Sequence, residues 1–152
     1  MKKVLIAIDY HPVSEEVVTR GYELAKTLKA QVCLIHVLTD VGYYGMEYPG
    51  FMGYNGYDIS TEINLATEMR SFAEDYLKNI VAHLGDPSVD YHLAEGDTAA
   101  AVLDYAKHWK ANLIVMGTHS HSALEKLLVG TVASKVLEKT RIPVYMVPVK
   151  KE

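Results

Sequence analysis

Hydrophobic positions follow two alternating spacings along the chain, and the alternation defines its elements. Residues 3–9 are almost continuously apolar and stop at Asp9, the pattern of a strand covered on both faces. Residues 13–28 switch to helical spacing through Val17, Val18, Gly21, Leu24, Ala25 and Leu28, with Ser14, Glu15 and Glu16 in the first turn. A second apolar run, 31–38, reads as a strand. A long helix is predicted over 59–84, capped by Ser60, with Ile63, Ala66, Phe72, Ala73, Tyr76, Leu77, Ile80, Val81 and Leu84 on its apolar face. Residues 88–93 form a shorter, more polar run suited to a sheet edge. A helix over 98–110, a strand over 112–116, a helix over 132–138 and a last strand over 144–147 complete the order.

Strands alternating with helices imply right-handed crossovers and a mostly parallel sheet with helices on both faces, an α/β fold. In such sheets ligands bind beyond the carboxyl ends of the strands, where the strand order reverses. Here those ends are Asp9, Val37 and Leu38, Ala94 and Glu95, Gly117 and Pro148. A site is expected to be built from some of them.

Residues 40–58 interrupt the pattern. Gly42, Gly45, Gly50, Gly53 and Gly56 stand among Tyr43, Tyr44, Tyr48, Phe51, Tyr54 and Tyr57. Glycine at this density resists regular structure, while tyrosine offers adhesive area with a polar tip. The segment reads either as an aromatic flap or partner surface, or as an insertion whose tyrosines lie on the surface. The whole chain, 1–152, is otherwise expected to be one domain, long enough to bury a core without disulfides or metals.

Composition narrows the function classes. A net charge of −4 argues against a general nucleic-acid binder, which would carry a basic stripe. No apolar run is long enough to span a bilayer. The apolar start Met1-Lys-Lys-Val-Leu-Ile ends at Asp9 with no cleavage site after it, as expected of a core strand rather than a signal peptide. The single cysteine, Cys33, lies in a strand and is expected to be a buried thiol. Together these point to a cytoplasmic protein.

The chemistry-bearing residues cluster near the C-terminus. The run Leu113-Ile-Val-Met-Gly117-Thr-His-Ser120 is a strand that stops at a glycine, and Gly130-Thr131 opens the next helix. Gly117 permits close backbone approach, Thr118, Ser120 and Ser122 offer hydroxyls, and Gly130-Thr131 contributes two amides and a hydroxyl. The first N–H groups of a helix have no internal partner, so these groups can converge on an anion. The competing reading is ordinary capping by Thr131. Residues 121–128 are expected to form a short helix. Asp9 is placed to meet a ribose, a base or a metal, or to cap the turn that follows it.

Other patterns are missing. There is no G-x-x-x-x-G-K-[ST] run and no G-x-G-x-x-G after the first strand, which excludes a P-loop and argues against a dinucleotide fold. His119 and His121 lack a positioned third ligand and make a poor zinc site. His11, like them, reads as a solvated loop residue. His36 and His92, on strands, read as hydrogen-bonded structural residues, and His83 and His108 fall near helix ends, where the dipole accounts for them. Asp97 or Thr98 is expected to cap the helix after Gly96. No strained elbow around a serine supports a Ser–His–Asp arrangement. No residue stands out as a catalytic general base.

Taken together, Val4-Leu-Ile-Ala-Ile-Asp9 with Ser14, Leu34-Ile-His-Val37, Glu95-Gly-Asp97, Leu113-Ile-Val-Met-Gly-Thr-His119, Leu128-Val-Gly-Thr-Val-Ala133 and Pro143-Val-Tyr-Met-Val-Pro148 resemble the universal stress protein family over essentially the whole chain. The resemblance implies a single open parallel sheet of five strands, order 3-2-1-4-5, and frequently a homodimer through the last strand, Val144–Val147. The ATP-binding branch of that family carries G-x-x-G, nine residues, then G-[ST]. This chain keeps the spacing as Gly117-Thr-His-Ser120, nine residues, Gly130-Thr131, with serine in place of the second glycine.

By position, the resemblance implies that Asp9 meets the ribose or adenine, with Ala7, Ile8 and Val37 lining the base pocket. Met116 and Gly117 meet base and sugar; Ser120, Gly130, Thr131, Val132 and Ala133 surround the phosphates. Tyr10 and His11 depart from the family's glycine–serine. If position 120 needs positive φ, serine there is strained by about 1–3 kcal/mol; if it needs only small size, the hydroxyl adds a donor. The kept spacing and Thr131 favour retained binding. The implied ligand is ATP, with AMP, a cyclic nucleotide and magnesium as further candidates, and the implied role is a nucleotide-dependent regulatory dimer in the stress response. The alternative is a nucleotide-free interaction dimer that uses the Gly/Tyr-rich segment.

Overall fold

The computed structural model describes residues 1–9, 14–39, 59–118 and 129–149. Five strands form one sheet: β1 Lys3–Ile8, β2 Gln31–Leu38, β3 Asp90–Glu95, β4 Leu113–Gly117 and β5 Val144–Val147. Four helices are described: α1 Ser14–Thr27, α2 Ile59–Leu84, α3 Thr98–Trp109 and α4 Thr131–Lys139. The strand order is β3-β2-β1-β4-β5, and every pairing is parallel. β1 runs beside β2 from Lys3↔Gln31 to Ile8↔His36, and beside β4 from Val4↔Leu113 to Ile6↔Val115. The chain therefore reverses its direction of sheet growth between β1 and β4, which opens a crevice at their carboxyl ends.

The continuously apolar strands are central because each supplies side chains to both faces. Val4, Ile6, Val32 and Leu34 pack with Val17, Val18 and Ala25 of α1 and Leu77 of α2. Leu5, Cys33, Ile35 and Ile114 pack on the other face with Val102 and Ala106 of α3 and Val136 of α4. Cys33 is fully buried, and burial pushes its thiol up to about 11.

Several element boundaries and faces differ from the sequence expectation. β3 begins at Asp90 rather than 88, because Asp86 Oδ1 accepts from both Ser88 N (2.9 Å) and Ser88 Oγ (2.6 Å) and holds that stretch as a turn. The last helix starts at Thr131 with Gly130 as its N-cap, in keeping with the expectation that Gly130-Thr131 opens it. α2 starts at Ile59, so Ser60 lies inside the helix rather than at its cap. Phe72 is 66 % exposed rather than part of the apolar face. It sits one residue, about 100° of helical rotation, from Ala73, and Ala73 and Leu77 carry the buried stripe. The Gly/Tyr-rich residues 40–58 and the short helix expected over 121–128 lie outside the described residues.

Candidate functional site

At the β1/β4 switch a cavity of about 80 Å³ opens to solvent, lined by Ala7, Ile8 and Asp9 of the first strand and its end, Ile35 and Val37 of β2, and Met116 and Gly117 of β4. The helices close it with Ser14 and Val17 from α1, Thr98 and Val102 from α3, and Gly130, Val132 and Ala133 at the head of α4. Its walls are mostly apolar, with Asp9, Ser14 and Thr98 as the polar side chains. Typical small-molecule sites enclose roughly 300–1,000 Å³. The described residues bound a smaller space than that.

Asp9 is fixed from several sides. Its Oδ1 accepts from Ser14 Oγ at 2.8 Å, and its own N–H donates back to that hydroxyl at 3.2 Å. Its backbone carbonyl accepts from Tyr76 Oη at 2.7 Å. One residue earlier, the Ile8 carbonyl lies 3.0 Å from His36 Nδ1. A carbonyl accepts only, so Nδ1 carries the proton of a neutral His36.

The opposite wall is the head of α4. Gly130 takes φ −65° and ψ 163°, extended backbone open to any residue, and brings no side chain to cap the helix. Its carbonyl accepts from Ser134 N at 2.9 Å, the first helical bond. The N–H groups of Thr131, Val132 and Ala133 are thereby left without intrahelical acceptors. α3 differs: its N-cap Asp97 accepts from Ala100 N at 3.0 Å and occupies the helix head with a carboxylate. The Gly130 amide is committed to the Thr118 carbonyl, so it is not one of the open donors. The Thr118 hydroxyl accepts from Val149 N at 3.1 Å, tying the β4 end to the chain beyond β5. Thr131 is exposed and does not line the cavity. Ser120, His119 and His121 lie outside the described residues, as do Tyr10 and His11.

The family model described as the universal stress protein family matches residues 1–148. The chain belongs to the universal stress protein family. It is 32 % identical over 138 residues to universal stress protein A homolog 1 of Coxiella burnetii, covering 90 % of this chain and 88 % of that protein. In structure it resembles universal stress protein UspA from Lactobacillus plantarum, with TM-score 0.74, 19 % identity and coverage of 96 % of this chain and 97 % of that one. It also resembles a universal stress protein solved in complex with cAMP, with TM-score 0.58, 18 % identity and coverage of 96 % of each chain.

Sequence reasoning about this universal stress protein passed over five lining residues. Thr98 and Val17 come from the first turns of α3 and α1 and Val102 from the second turn of α3, and apolar helical spacing is the available signal for the two valines. Ile35 is one strand residue among many, and Ser14 signals a helix start and stands among the residues of the family resemblance without marking itself as a wall residue. His36 is hydrogen-bonded, as its strand position suggested. His92 is held instead by stacking on Tyr105, with ring centroids 3.9 Å apart. Burial pulls the His36 imidazole below its ordinary value, the Ile8 carbonyl and the Asp9 charge offsetting part of this. Burial and the charge of His108 lower His92 in the same sense. Below about pH 6.5 the unfolded chain gains protons that the folded chain refuses, so stability falls as pH falls. Thermal melts from pH 7.5 to 5 are expected to show this, and His36→Asn, which removes the titrating ring, should reduce the slope. An unchanged slope in the variant contradicts this role for His36.

Proposed function

We infer that this chain is a stress-response module that binds an adenine nucleotide in the crevice between the ends of β1 and β4. The observation that carries the reading is one cavity joining apolar walls, the fixed Asp9 carboxylate and the uncapped head of α4. These parts fit the three parts of a nucleotide. Ala7, Ile8, Val37 and Met116 suit a flat, weakly polar base. Asp9 suits the hydroxyls of a ribose or an exocyclic amine. The open amides of Thr131, Val132 and Ala133, with the positive end of the helix dipole, suit a phosphate. Gly117 and Gly130 line the same cavity and bring no side chain into it. ATP is the proposed ligand, with magnesium on its phosphates; AMP or a cyclic nucleotide would use the same base and ribose contacts, and the cAMP complex of a protein with this fold is consistent with that. Mass spectrometry of small molecules released from freshly purified protein tests the reading. An adenine nucleotide near stoichiometric amount is expected, and absence of any nucleotide from protein refilled with millimolar ATP and washed briefly counts against it.

The same reading makes the active unit a cytoplasmic homodimer. β5 is the sheet edge beyond β4, and its Tyr145 and the α4 residue Leu137 are 41 % and 44 % exposed. Pairing through Val144–Val147 would cover that edge. Light scattering after gel filtration is expected to give the mass of two chains, and one-chain mass at hundred-micromolar concentration contradicts it.

A further inference from the structure

The end of β1 raises an accounting question that its strand neighbours do not answer. β4 accompanies β1 only as far as Ile6↔Val115, and β2 as far as Ile8↔His36. Beyond those points the backbone groups of β1 need other partners. Side chains from β2 and from α2 serve the carbonyls at this end. His36 Nδ1 of β2 serves the Ile8 carbonyl at 3.0 Å, and Tyr76 Oη of α2 serves the Asp9 carbonyl at 2.7 Å. The two rings meet edge to face, with centroids 6.1 Å apart and planes at 72°.

Tyr76 is not in the cavity wall, yet it holds the backbone of the residue that gives the wall its carboxylate. Burial, then the nearby Asp9 charge, pushes its phenol above the ordinary tyrosine value, so the hydroxyl stays a donor throughout the physiological range. The Asp9 carboxylate itself is turned by Ser14 Oγ from α1. With its carbonyl held from α2 and its carboxylate from α1, Asp9 is oriented by two helices that approach on the same face of the sheet. α2 reaches a second strand end as well: Arg70 Nε donates to Glu95 Oε1 at 2.7 Å at the end of β3. That pair is exposed on both sides and adds little energy. The half-buried Tyr76 contact is the one that bears on the crevice.

We propose that Tyr76 is a positioning residue for ligand recognition, holding the Asp9 backbone so that its carboxylate, turned by Ser14, presents to the ligand in a fixed orientation. The proposal rests on the nucleotide reading of the crevice. Pre-orientation matters because a carboxylate that must be ordered at the moment of binding loses part of its interaction energy to that ordering.

Tyr76→Phe keeps the ring and its packing and removes the one donor. Titration calorimetry with ATP and magnesium, on the full chain, is expected to show five- to tenfold weaker binding in Tyr76→Phe. In an Asp9→Asn background the same substitution should change affinity less than twofold, since a shared role is non-additive. An equal loss in both backgrounds, or no loss in the first, overturns the proposal. A purely structural role would give that equal loss. The Asp9 and Ser14 backbone resonances supply a readout independent of ligand. Tyr76→Phe is expected to move both in the free protein, and unmoved resonances overturn the proposal. If the wild-type chain takes up no ATP, the nucleotide reading fails, while these resonances still decide whether Tyr76 orients Asp9.

Discussion

Gly21→Val is expected to destabilise the protein by at least about 3 kcal/mol, the largest loss anticipated for a single side chain here. Gly21 lies on the buried face of α1, above the Ile6↔Val115 pair that joins β1 to β4. A Cβ at this position would stand 2.9 Å from Ile6 Cδ1, 3.0 Å from Val115 Cγ1 and 3.1 Å from Ile6 Cγ1. Both neighbours are fully buried, so neither can swing into solvent. The helix must lift or the core must shift. Alanine meets the same contact but improves helix propensity by about 1 kcal/mol. Overpacking of about 1–3 kcal/mol therefore leaves Gly21→Ala with a net loss of about 0–2 kcal/mol. Valine adds two methyl groups where there is no room for the first, and it forfeits most of the propensity gain. For a chain of this length each kcal/mol moves Tm by about 2–4 °C, so a fall of about 6–12 °C or more is expected by calorimetry. A valine variant melting within about 2 °C of wild type would mean that α1 does not sit this close to the sheet. The consequence reaches the crevice, since α1 also carries Ser14 and Val17 into its wall.

Asp9→Ala is expected to weaken ATP binding by about 10- to 100-fold while changing Tm little. A hydrogen bond from a ligand to a charged group contributes about 1.5–3 kcal/mol, and each 1.4 kcal/mol is about a factor of ten in affinity. The carboxylate is half-buried, accepts from Ser14 and is held through its own backbone by Tyr76, so its orientation is largely set before a ligand arrives. Removing it leaves Ser14 Oγ still bonded to the Asp9-position N–H, which limits the structural damage. Ser14→Ala should have a smaller effect on affinity, because it loosens the carboxylate without deleting it. Calorimetry of the three proteins at one magnesium concentration checks the order. Affinity in Asp9→Ala within twofold of wild type would remove Asp9 from the ligand contacts.

What could be read from the sequence, and what could not, divides along a physical line. Continuous apolar runs located the central strands, because a strand covered on both faces has no polar side to blur the signal. Asp9, Val37 and Gly117 were identifiable as strand ends, and a parallel sheet concentrates its ligand groups there. β3 was shifted by two residues because Ser88 and Val89 suit a strand locally, while the Asp86 carboxylate captures Ser88 in a turn. Phe72 was misassigned because hydrophobicity alone cannot tell the flank of a helix face from its centre.

The finer features of the site are tertiary. Gly130 could be seen to open a helix, but its amide is committed to the Thr118 carbonyl just past β4, a contact that local pattern cannot reveal. The Tyr76 hydroxyl reaches Asp9 across 67 positions of sequence. Thr98 and Val102 enter the wall only because α3 is laid over the end of β2, and no propensity encodes that docking.

An ATP titration followed by backbone amide NMR tests the central claim most directly, because it reports binding and its place together. With saturating magnesium-ATP, the shifts are expected to concentrate at Asp9, Val37, Gly117 and the Thr131, Val132 and Ala133 amides. The far groove beside His92, Tyr105 and Trp109 should stay still. No shifts at millimolar ATP, or shifts confined to that groove, would contradict a nucleotide site at the β1/β4 crevice.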